Sequence, residues 1–129
     1  PFYLFYRPYH LGHIEALPCV AEAVLDGRAR LQPTHGFRTN VFTYAKKDLE
    51  AGDVLDGMGR YAAYGLIENY VNGRADGLPI CLAENVTLKR PIAKDQPILM
   101  SDIDYDANAF QFQFYAQALA QSQRLNAAK

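Results

Sequence analysis

The chain of 129 residues is long enough for one compact domain and too short for two of ordinary size. With 50% apolar and 21% charged residues, its composition excludes a disordered, collagen-like or coiled-coil protein. The formal charge of −1 predicts no nucleic-acid partner and no anionic membrane surface, because it leaves no broad electropositive face. No apolar run approaches the roughly 20 residues that span a bilayer, so no membrane contact is expected.

The first predicted element is a strand at residues 2–6, where large aromatic residues alternate with Leu4. Pro8 restricts the residue before it to extended geometry, and the strand is expected to end there. A chain that opens at Pro1 with so apolar a strand is expected to be a piece of a longer protein whose earlier part covers these aromatic residues.

A helix is predicted next, because apolar residues recur at the spacing of one helical face. Gly27 is expected at the left-handed position that ends the helix. Pro18 is expected in the first turn, since it would clash in a helix interior. Residues 28–38 show no period, which predicts a loop. The residues of the apolar face are Ile14, Leu17, Ala21, Val24 and Leu25.

A weak internal repeat is the most informative feature of the sequence. Residues 43–55 align with residues 86–98 at a constant offset of 43. Each copy predicts a strand, a tight turn and a strand, with Ala51-Gly52 and Lys94-Asp95 as the turn residues. Chance agreement is the alternative, because turn chemistry restricts the residues available to any short hairpin. The equivalent pairs are Lys46 and Lys89, Lys47 and Arg90, Leu49 and Ile92, Gly52 and Asp95, and Leu55 and Ile98.

The remaining segments predict a glycine-rich turn and a C-terminal helix. Gly57 and Gly59 would let the backbone adopt positive φ or approach another chain closely, but they lack the G-x-G-x-x-G spacing of a dinucleotide-binding turn. Residues 106–123 are rich in alanine and glutamine, which favours a helix capped by Asp104 or Asp106.

Residues 46–55 resemble the first hairpin of a SAF domain, the β-clip module shared by type III antifreeze proteins and the C-terminal part of sialic acid synthases. Three further segments extend the resemblance to the C-terminal third of homoserine-dehydrogenase-like oxidoreductases. These enzymes include the reductoisomerase-like members that replace the usual 1-deoxy-D-xylulose 5-phosphate reductoisomerase in some bacteria. The segments are Pro8-Tyr9-His10-Leu11, Tyr64-Gly65-Leu66-Ile67-Glu68 and Leu78-Pro79-Ile80-Cys81-Leu82-Ala83-Glu84.

The resemblance covers nearly the whole chain and implies a mixed α+β fold that is mostly β. Residues 1–38 are expected to hold the strand and helix that end the parent enzyme's catalytic region, followed by a linker. Residues 39–105 are expected to form the SAF-type β-clip, and residues 106–129 the C-terminal helix.

The resemblance also implies a function. In this family an N-terminal Rossmann domain binds NADP or NAD, and the sequence contains no fingerprint of such a domain. We therefore expect a non-catalytic C-terminal part of an NAD(P)-dependent oxidoreductase, with a reductoisomerase reaction on 1-deoxy-D-xylulose 5-phosphate as the implied chemistry. The expected partners are the missing Rossmann region and further copies of the chain. The alternatives are a stand-alone sugar- or protein-binding module and a structural oligomerisation domain.

Four residues near the start are candidates for facing the parent enzyme's substrate: Arg7, Tyr9, His10 and His13. The Arg7 guanidinium has the geometry to clamp a phosphate or carboxylate through two hydrogen bonds. The alternative is that the tyrosines pack a core and Arg7 covers it. His10 and His13 would share one helical face and could hold a metal ion, although two ligands are too few for a site.

Four repeated cations, Lys46, Lys47, Lys89 and Arg90, are candidates for an anion site between the hairpins. A solvated strand face is the alternative, because charged side chains usually line the exposed side of a hairpin. Two further expectations concern Cys19 and Cys81, which lie among apolar neighbours. We expect both to be reduced core thiols of a cytoplasmic protein.

Overall fold

The computed structural model describes residues 12–29, 35–70 and 76–127. The chain forms two units, residues 1–34 and residues 35–129. Within the described ranges, the first unit contains helix α1 (Gly12–Leu25), and the strand expected at residues 2–6 lies outside them. The expected mixed α+β class is confirmed. The elements of the second unit are β1 (Thr39–Ala45), β2 (Val54–Asp56), β3 (Ala63–Asn69), β4 (Glu84–Leu88), β5 (Ile103–Asp104) and α2 (Phe110–Ala127).

Helix α1 begins earlier than expected. It starts at Gly12, so Pro18 lies inside the helix and not in its first turn. An interior proline removes one backbone donor and crowds the preceding turn, at a cost of about 3 kcal/mol. The alanine, leucine and glutamate residues on both sides are strong helix formers, and their propensity favours continuation past the proline. The end of the helix is as expected, because Gly27 has a φ of 62°.

The strands form two antiparallel sheets. In the first sheet β1 pairs with β3 along its whole length, with Tyr44 opposite Tyr64. In the second, β4 lies between β2 and β5. Single bridges add further pairs, of which Phe42 with Pro79 and Tyr44 with Pro97 extend the first sheet.

The two copies of the repeat meet at Leu49 and Ile92, which occupy equivalent positions in them. The Leu49 amide donates to the Ile92 carbonyl at 2.9 Å, and the Ile92 amide donates to the Leu49 carbonyl at 2.9 Å. A rotation of 180° that exchanges the two residues also exchanges their two hydrogen bonds. The pair therefore lies on an approximate twofold axis that relates the two copies. The side chains are 3% and 2% exposed, so both belong to the core.

Two further backbone hydrogen bonds between the copies are equivalent, because each joins a turn residue of one copy to the corresponding strand residue of the other. The Gly52 amide donates to the Leu88 carbonyl at 2.8 Å, and the Asp95 amide donates to the Ala45 carbonyl at 2.8 Å. Gly52 and Asp95 also share a left-handed backbone, with φ values of 92° and 61°. The predicted repeat is confirmed with its two tight turns, closed by bonds from the Asp53 amide to the Glu50 carbonyl and from the Gln96 amide to the Ala93 carbonyl. The expectation that each copy is a hairpin is wrong, because β1 pairs with β3 and β2 pairs with β4, so the two strands of the first copy lie in different sheets. Aspartate tolerates the left-handed conformation that glycine adopts freely, which explains the substitution between copies.

The two copies of the repeat are followed by different segments. After β2 the chain makes the glycine-rich turn at residues 57–60, where Gly57 and Gly59 have positive φ. The second copy replaces it with a single 3₁₀ turn at Met100–Asp102. The Asp56 carboxylate holds the glycine-rich turn by accepting from the amides of Tyr61 at 2.9 Å and Ala62 at 3.1 Å.

The hydrogen bonds from these two amides hold the pKa of Asp56 below its usual value, and the bond from Tyr61 has the larger effect. A carboxyl with a lowered native pKa stabilises the fold above its unfolded pKa and loses that contribution as the pH falls through the native one. We expect Asp56→Ala to lower the free energy of unfolding by about 1 kcal/mol at pH 7. We expect the difference to shrink in acid, as the pH falls through the lowered native pKa and the wild-type carboxyl is also protonated. Urea unfolding at pH 7 and at a series of acid pH values tests this, and a difference independent of pH would contradict it.

The C-terminal helix is confirmed, but α2 begins at Phe110, four residues beyond the expected start. Asp106 caps the preceding turn, its side chain accepting from the Asn108 amide at 2.8 Å. At the other end, the Ser122 hydroxyl accepts from the Phe37 amide at 2.7 Å. Gly36 lies next to this contact, and any other residue would clash there because its Cβ would lie 2.3 Å from the Ser122 carbonyl oxygen. No helix in the described ranges is long and apolar enough to cross a membrane.

Candidate functional site

A groove of about 420 Å³ lies in the second unit, beside the start of β4 and the first turn of α2. Its volume falls within the roughly 300–1,000 Å³ typical of small-molecule sites. Aromatic and polar side chains converge on it from three separate segments of the chain. These side chains are Glu84, Asn85, Tyr105, Asp106, Gln111 and Phe112.

A β-bulge shapes one wall of the groove. The pairing of β4 with β2 shifts by one residue between Glu84 and Thr87. Asn85 lies in this interval with a left-handed φ of 59°. In a regular strand, alternate residues would face opposite sides. Because of the bulge, residues 84–86 all line the groove.

An aromatic pair forms another wall. The rings of Tyr105 and Phe112 are stacked with centroids 4.2 Å apart and an interplanar angle of 26°. Phe112 is 7% exposed and anchors α2 in the core, whereas Tyr105 is 40% exposed. The buried ring holds the exposed ring in place, so Tyr105 is available as a fixed aromatic surface.

Two carboxylates complete the lining, and lysine, arginine and histidine are absent from the described lining residues. Gly57 leaves room for the Glu84 side chain, because a Cβ at Gly57 would lie 3.2 Å from its Cβ and Cγ atoms. Asp106 is fixed by its bond from the Asn108 amide. The groove therefore presents oxygen acceptors and carboxamides, with no positive charge.

The four candidate cations lie directly after β1 and β4, in equivalent positions. The Lys46 ammonium donates to the Arg60 carbonyl, and the Lys89 Nζ lies 3.7 Å from an Asp104 carboxylate oxygen. Lys47 is exposed, and no acceptor for it is found among the described residues. The anion site proposed from the sequence stays a prediction.

Arg90 is the cation with the strongest protein partner. Its Nε and Nη2 atoms donate to the two oxygens of Asp102 at 2.6 and 2.9 Å. Asp102 is 6% exposed at its side chain and also accepts from the Leu99 amide at 3.0 Å. The hydrogen bond to Asp102 raises the pKa of Arg90 above its usual value. This guanidinium is therefore oriented by the protein itself.

The candidates near the start of the chain lie mostly outside the described ranges. Arg7, Tyr9 and His10 belong to residues 1–11, and of His13 only the backbone position in α1 is described. In the portion of the chain that is described, no three histidine, cysteine or acidic side chains gather as a metal site. The substrate-facing roles stay predictions.

A second set of aromatic residues joins α2 to the first sheet. The Phe37 ring packs edge-on against Tyr70 and parallel to Tyr115, with centroid distances of 5.7 and 6.4 Å. The Tyr115 hydroxyl accepts a hydrogen bond from the side-chain Nδ2 of Asn40 at 3.1 Å. Burial raises the pKa of Tyr115 to about 12.

Both cysteines are unpaired, as expected, but the expectation that they are core thiols is wrong. Cys81 is exposed and Cys19 is partly buried. Cys81 is the middle residue of a 3₁₀ turn whose flanking residues, Ile80 and Leu82, are both buried. Those two side chains occupy the core and leave Cys81 at the surface, which an apolar sequence neighbourhood does not reveal.

The groove residues were missed in the sequence. Asn85, before the apolar residues of β4, carries a weak signal, because asparagine is enriched at left-handed backbone positions. The convergence of residues 84–86 with Tyr105 and Gln111 depends on the bulge and on the docking of α2, and neither leaves a spacing pattern.

Neither a comparison with protein-family models nor one with curated proteins found a match to this chain.

Proposed function

We propose that this chain is the non-catalytic C-terminal SAF-type region of an NAD(P)-dependent oxidoreductase that resembles homoserine dehydrogenase. The whole protein would act in the cytoplasm as a reductoisomerase on 1-deoxy-D-xylulose 5-phosphate. The observation that carries the proposal is the pairing of the two repeat copies with each other, which meet at Leu49 and Ile92 through equivalent backbone hydrogen bonds. Two such halves about an approximate twofold axis are what the resemblance to a β-clip predicts.

The glycine-rich turn supports a non-catalytic role for this part. In a dinucleotide-binding turn, the chain leaves a strand and enters a helix whose N-terminus receives the pyrophosphate. Here the chain leaves β2, passes through Gly57 and Gly59, and enters β3. No helix N-terminus is available at this turn, so its positive φ values serve a tight connection between strands.

The isolated chain is expected to show no NADPH binding tighter than about 100 μM, which corresponds to roughly −5.5 kcal/mol. The physical reason is the missing phosphate-binding turn and helix N-terminus. Titration calorimetry with NADPH measures this directly. Tighter binding by the isolated chain would show that it contains a cofactor site. The proposal that a separate domain binds the cofactor would then be wrong.

The reading frame upstream of Pro1 provides the decisive test of the proposal. We expect it to encode a G-x-G-x-x-G turn between a strand and a helix. The longer protein should then bind NADPH and reduce 1-deoxy-D-xylulose 5-phosphate, while the isolated chain should do neither. An upstream frame without a nucleotide-binding unit would overturn the proposal and favour the stand-alone binding module.

A contribution to oligomerisation is a second candidate role, and α2 provides the observation for it. Phe110 and Phe114 are 78% and 61% exposed and stack on each other with centroids 5.8 Å apart. Arg124 is the only charged residue of this helix. Interfaces between proteins are depleted in charge and enriched in aromatic residues, and α2 has both properties.

We therefore expect the chain to self-associate through α2, and we expect the Phe110→Ser/Phe114→Ser double variant to weaken that association. Sedimentation equilibrium across a range of concentrations measures the change. Tyr61→Ser is the matched control, since Tyr61 is 84% exposed but lies in the turn before β3. A wild-type chain that is monomeric at every concentration would contradict the prediction.

A further inference from the structure

We propose that the groove beside β4 and α2 binds a neutral saccharide, with a pyranose ring stacked on Tyr105 and its hydroxyls bonded to Asn85, Glu84 and Asp106. This site does not depend on the proposed oxidoreductase function. It needs neither the nicotinamide cofactor nor the candidate cations.

The aromatic wall accounts for the ring of the ligand. One face of a pyranose carries mainly C–H groups, which pack favourably on an aromatic surface. Tyr105 is fixed from behind by the buried Phe112 ring at 4.2 Å, so it loses little conformational freedom when a ligand binds. Its partial exposure leaves ring surface for such a contact.

The polar wall accounts for the hydroxyl groups. A hydroxyl both donates and accepts, so it is matched by carboxylates, which accept, and carboxamides, which do both. Glu84 and Asp106 supply carboxylates, while Asn85 and Gln111 supply carboxamides. The bulge that brings Asn85 to the same side as Glu84 therefore increases the number of partners for neighbouring hydroxyls.

The charge of the groove excludes an anionic ligand. Two carboxylates line it, and none of its described lining residues is basic. A phosphate or carboxylate placed here would meet like charges at short range without a compensating cation. The proposed ligand is therefore an uncharged sugar and not a sugar phosphate, because sugar hydroxyls use the carboxamides as well as the carboxylates, and a cationic probe tests the remaining alternative.

The test is a titration of the ¹⁵N-labelled chain with D-glucose, D-galactose and D-mannose, followed by NMR. At millimolar concentrations we expect at least one sugar to shift the backbone amides of Cys81, Asn85 and Ala109 and the side-chain amide of Gln111. Amides at the distant turn of Gly52 should not move. Inorganic phosphate and spermidine serve as the anionic and cationic probes.

Two variants remove the proposed contacts and two serve as controls. Asn85→Gly keeps the left-handed backbone, because glycine adopts positive φ without strain, and should weaken binding about fivefold through loss of a hydrogen bond. Tyr105→Ala should abolish measurable binding, whereas Tyr105→Phe keeps the ring and should retain most of it. Tyr61→Ala removes an exposed tyrosine outside the groove and should bind as the wild type does.

The results that would overturn the proposal are distinct. No amide shifts with any of the three sugars, or equal affinity in the wild type, Asn85→Gly and Tyr105→Ala, would exclude a saccharide site here. Shifts of the groove amides with phosphate or spermidine but not with sugars would assign the groove to a charged ligand. None of these outcomes bears on NADPH binding by the longer protein, so failure of the two proposals can be told apart.

Discussion

Replacing Leu49 or Ile92 with alanine should lower the free energy of unfolding by about 2–5 kcal/mol in each case, and by similar amounts in the two variants. Both side chains are almost fully buried, and their backbones exchange two hydrogen bonds at the centre of the repeat. Truncating either side chain loses the same kind of transfer free energy and leaves a comparable cavity. Urea unfolding of the two variants measures both effects.

Lys46→Ala is the matched control for this experiment. Lys46 lies three residues before Leu49 in the same copy of the repeat and is exposed, and its ammonium donates to a carbonyl oxygen of the glycine-rich turn. Its replacement should change stability by less than about 0.5 kcal/mol. Costs that differ severalfold between Leu49→Ala and Ile92→Ala would show that the two halves of the repeat are not energetically equivalent.

The repeat could be predicted from the sequence because its requirements are local. Each turn needs one residue with positive φ, and Gly52 and Asp95 are among the few residue types that accept it. Leu55 and Ile98, expected as an equivalent pair, are both fully buried. An offset that preserves turn chemistry and apolar positions together is visible without knowledge of the fold.

The parts that were not predicted depend on contacts between distant segments. The start of α2 at Phe110 is one example, because Asp106 first closes a separate turn. The groove is another, since it requires a bulge in β4 and the packing of Phe112 behind Tyr105. Neither the bulge nor the stacking changes the periodicity of the sequence.

The second copy of the repeat also contains an ion pair that has no equivalent in the first. Lys47 occupies the position of Arg90 in the first copy of the repeat. The segment that follows the first copy is the glycine-rich turn, where Gly59 stands at the position of Asp102. Arginine makes two parallel hydrogen bonds to a carboxylate, which lysine cannot do. The difference between Lys47 and Arg90 therefore matches the difference between the two turns.

Asp102→Ala should lower the free energy of unfolding by about 1–3 kcal/mol, because it leaves the Leu99 amide without its acceptor and the Arg90 guanidinium without its carboxylate. Arg90→Ala should also destabilise the chain, since it leaves the nearly buried Asp102 carboxylate with a single amide donor among its present partners. Lys89→Ala is the control: its ion pair to Asp104 spans 3.7 Å between exposed side chains and should contribute less than about 0.5 kcal/mol. Urea unfolding of the three variants in one buffer separates these contributions. If Lys89→Ala lowered the free energy of unfolding as much as Asp102→Ala, surface charge in general would stabilise the second copy of the repeat. The specific pairing of Arg90 with Asp102 would then not account for its stability.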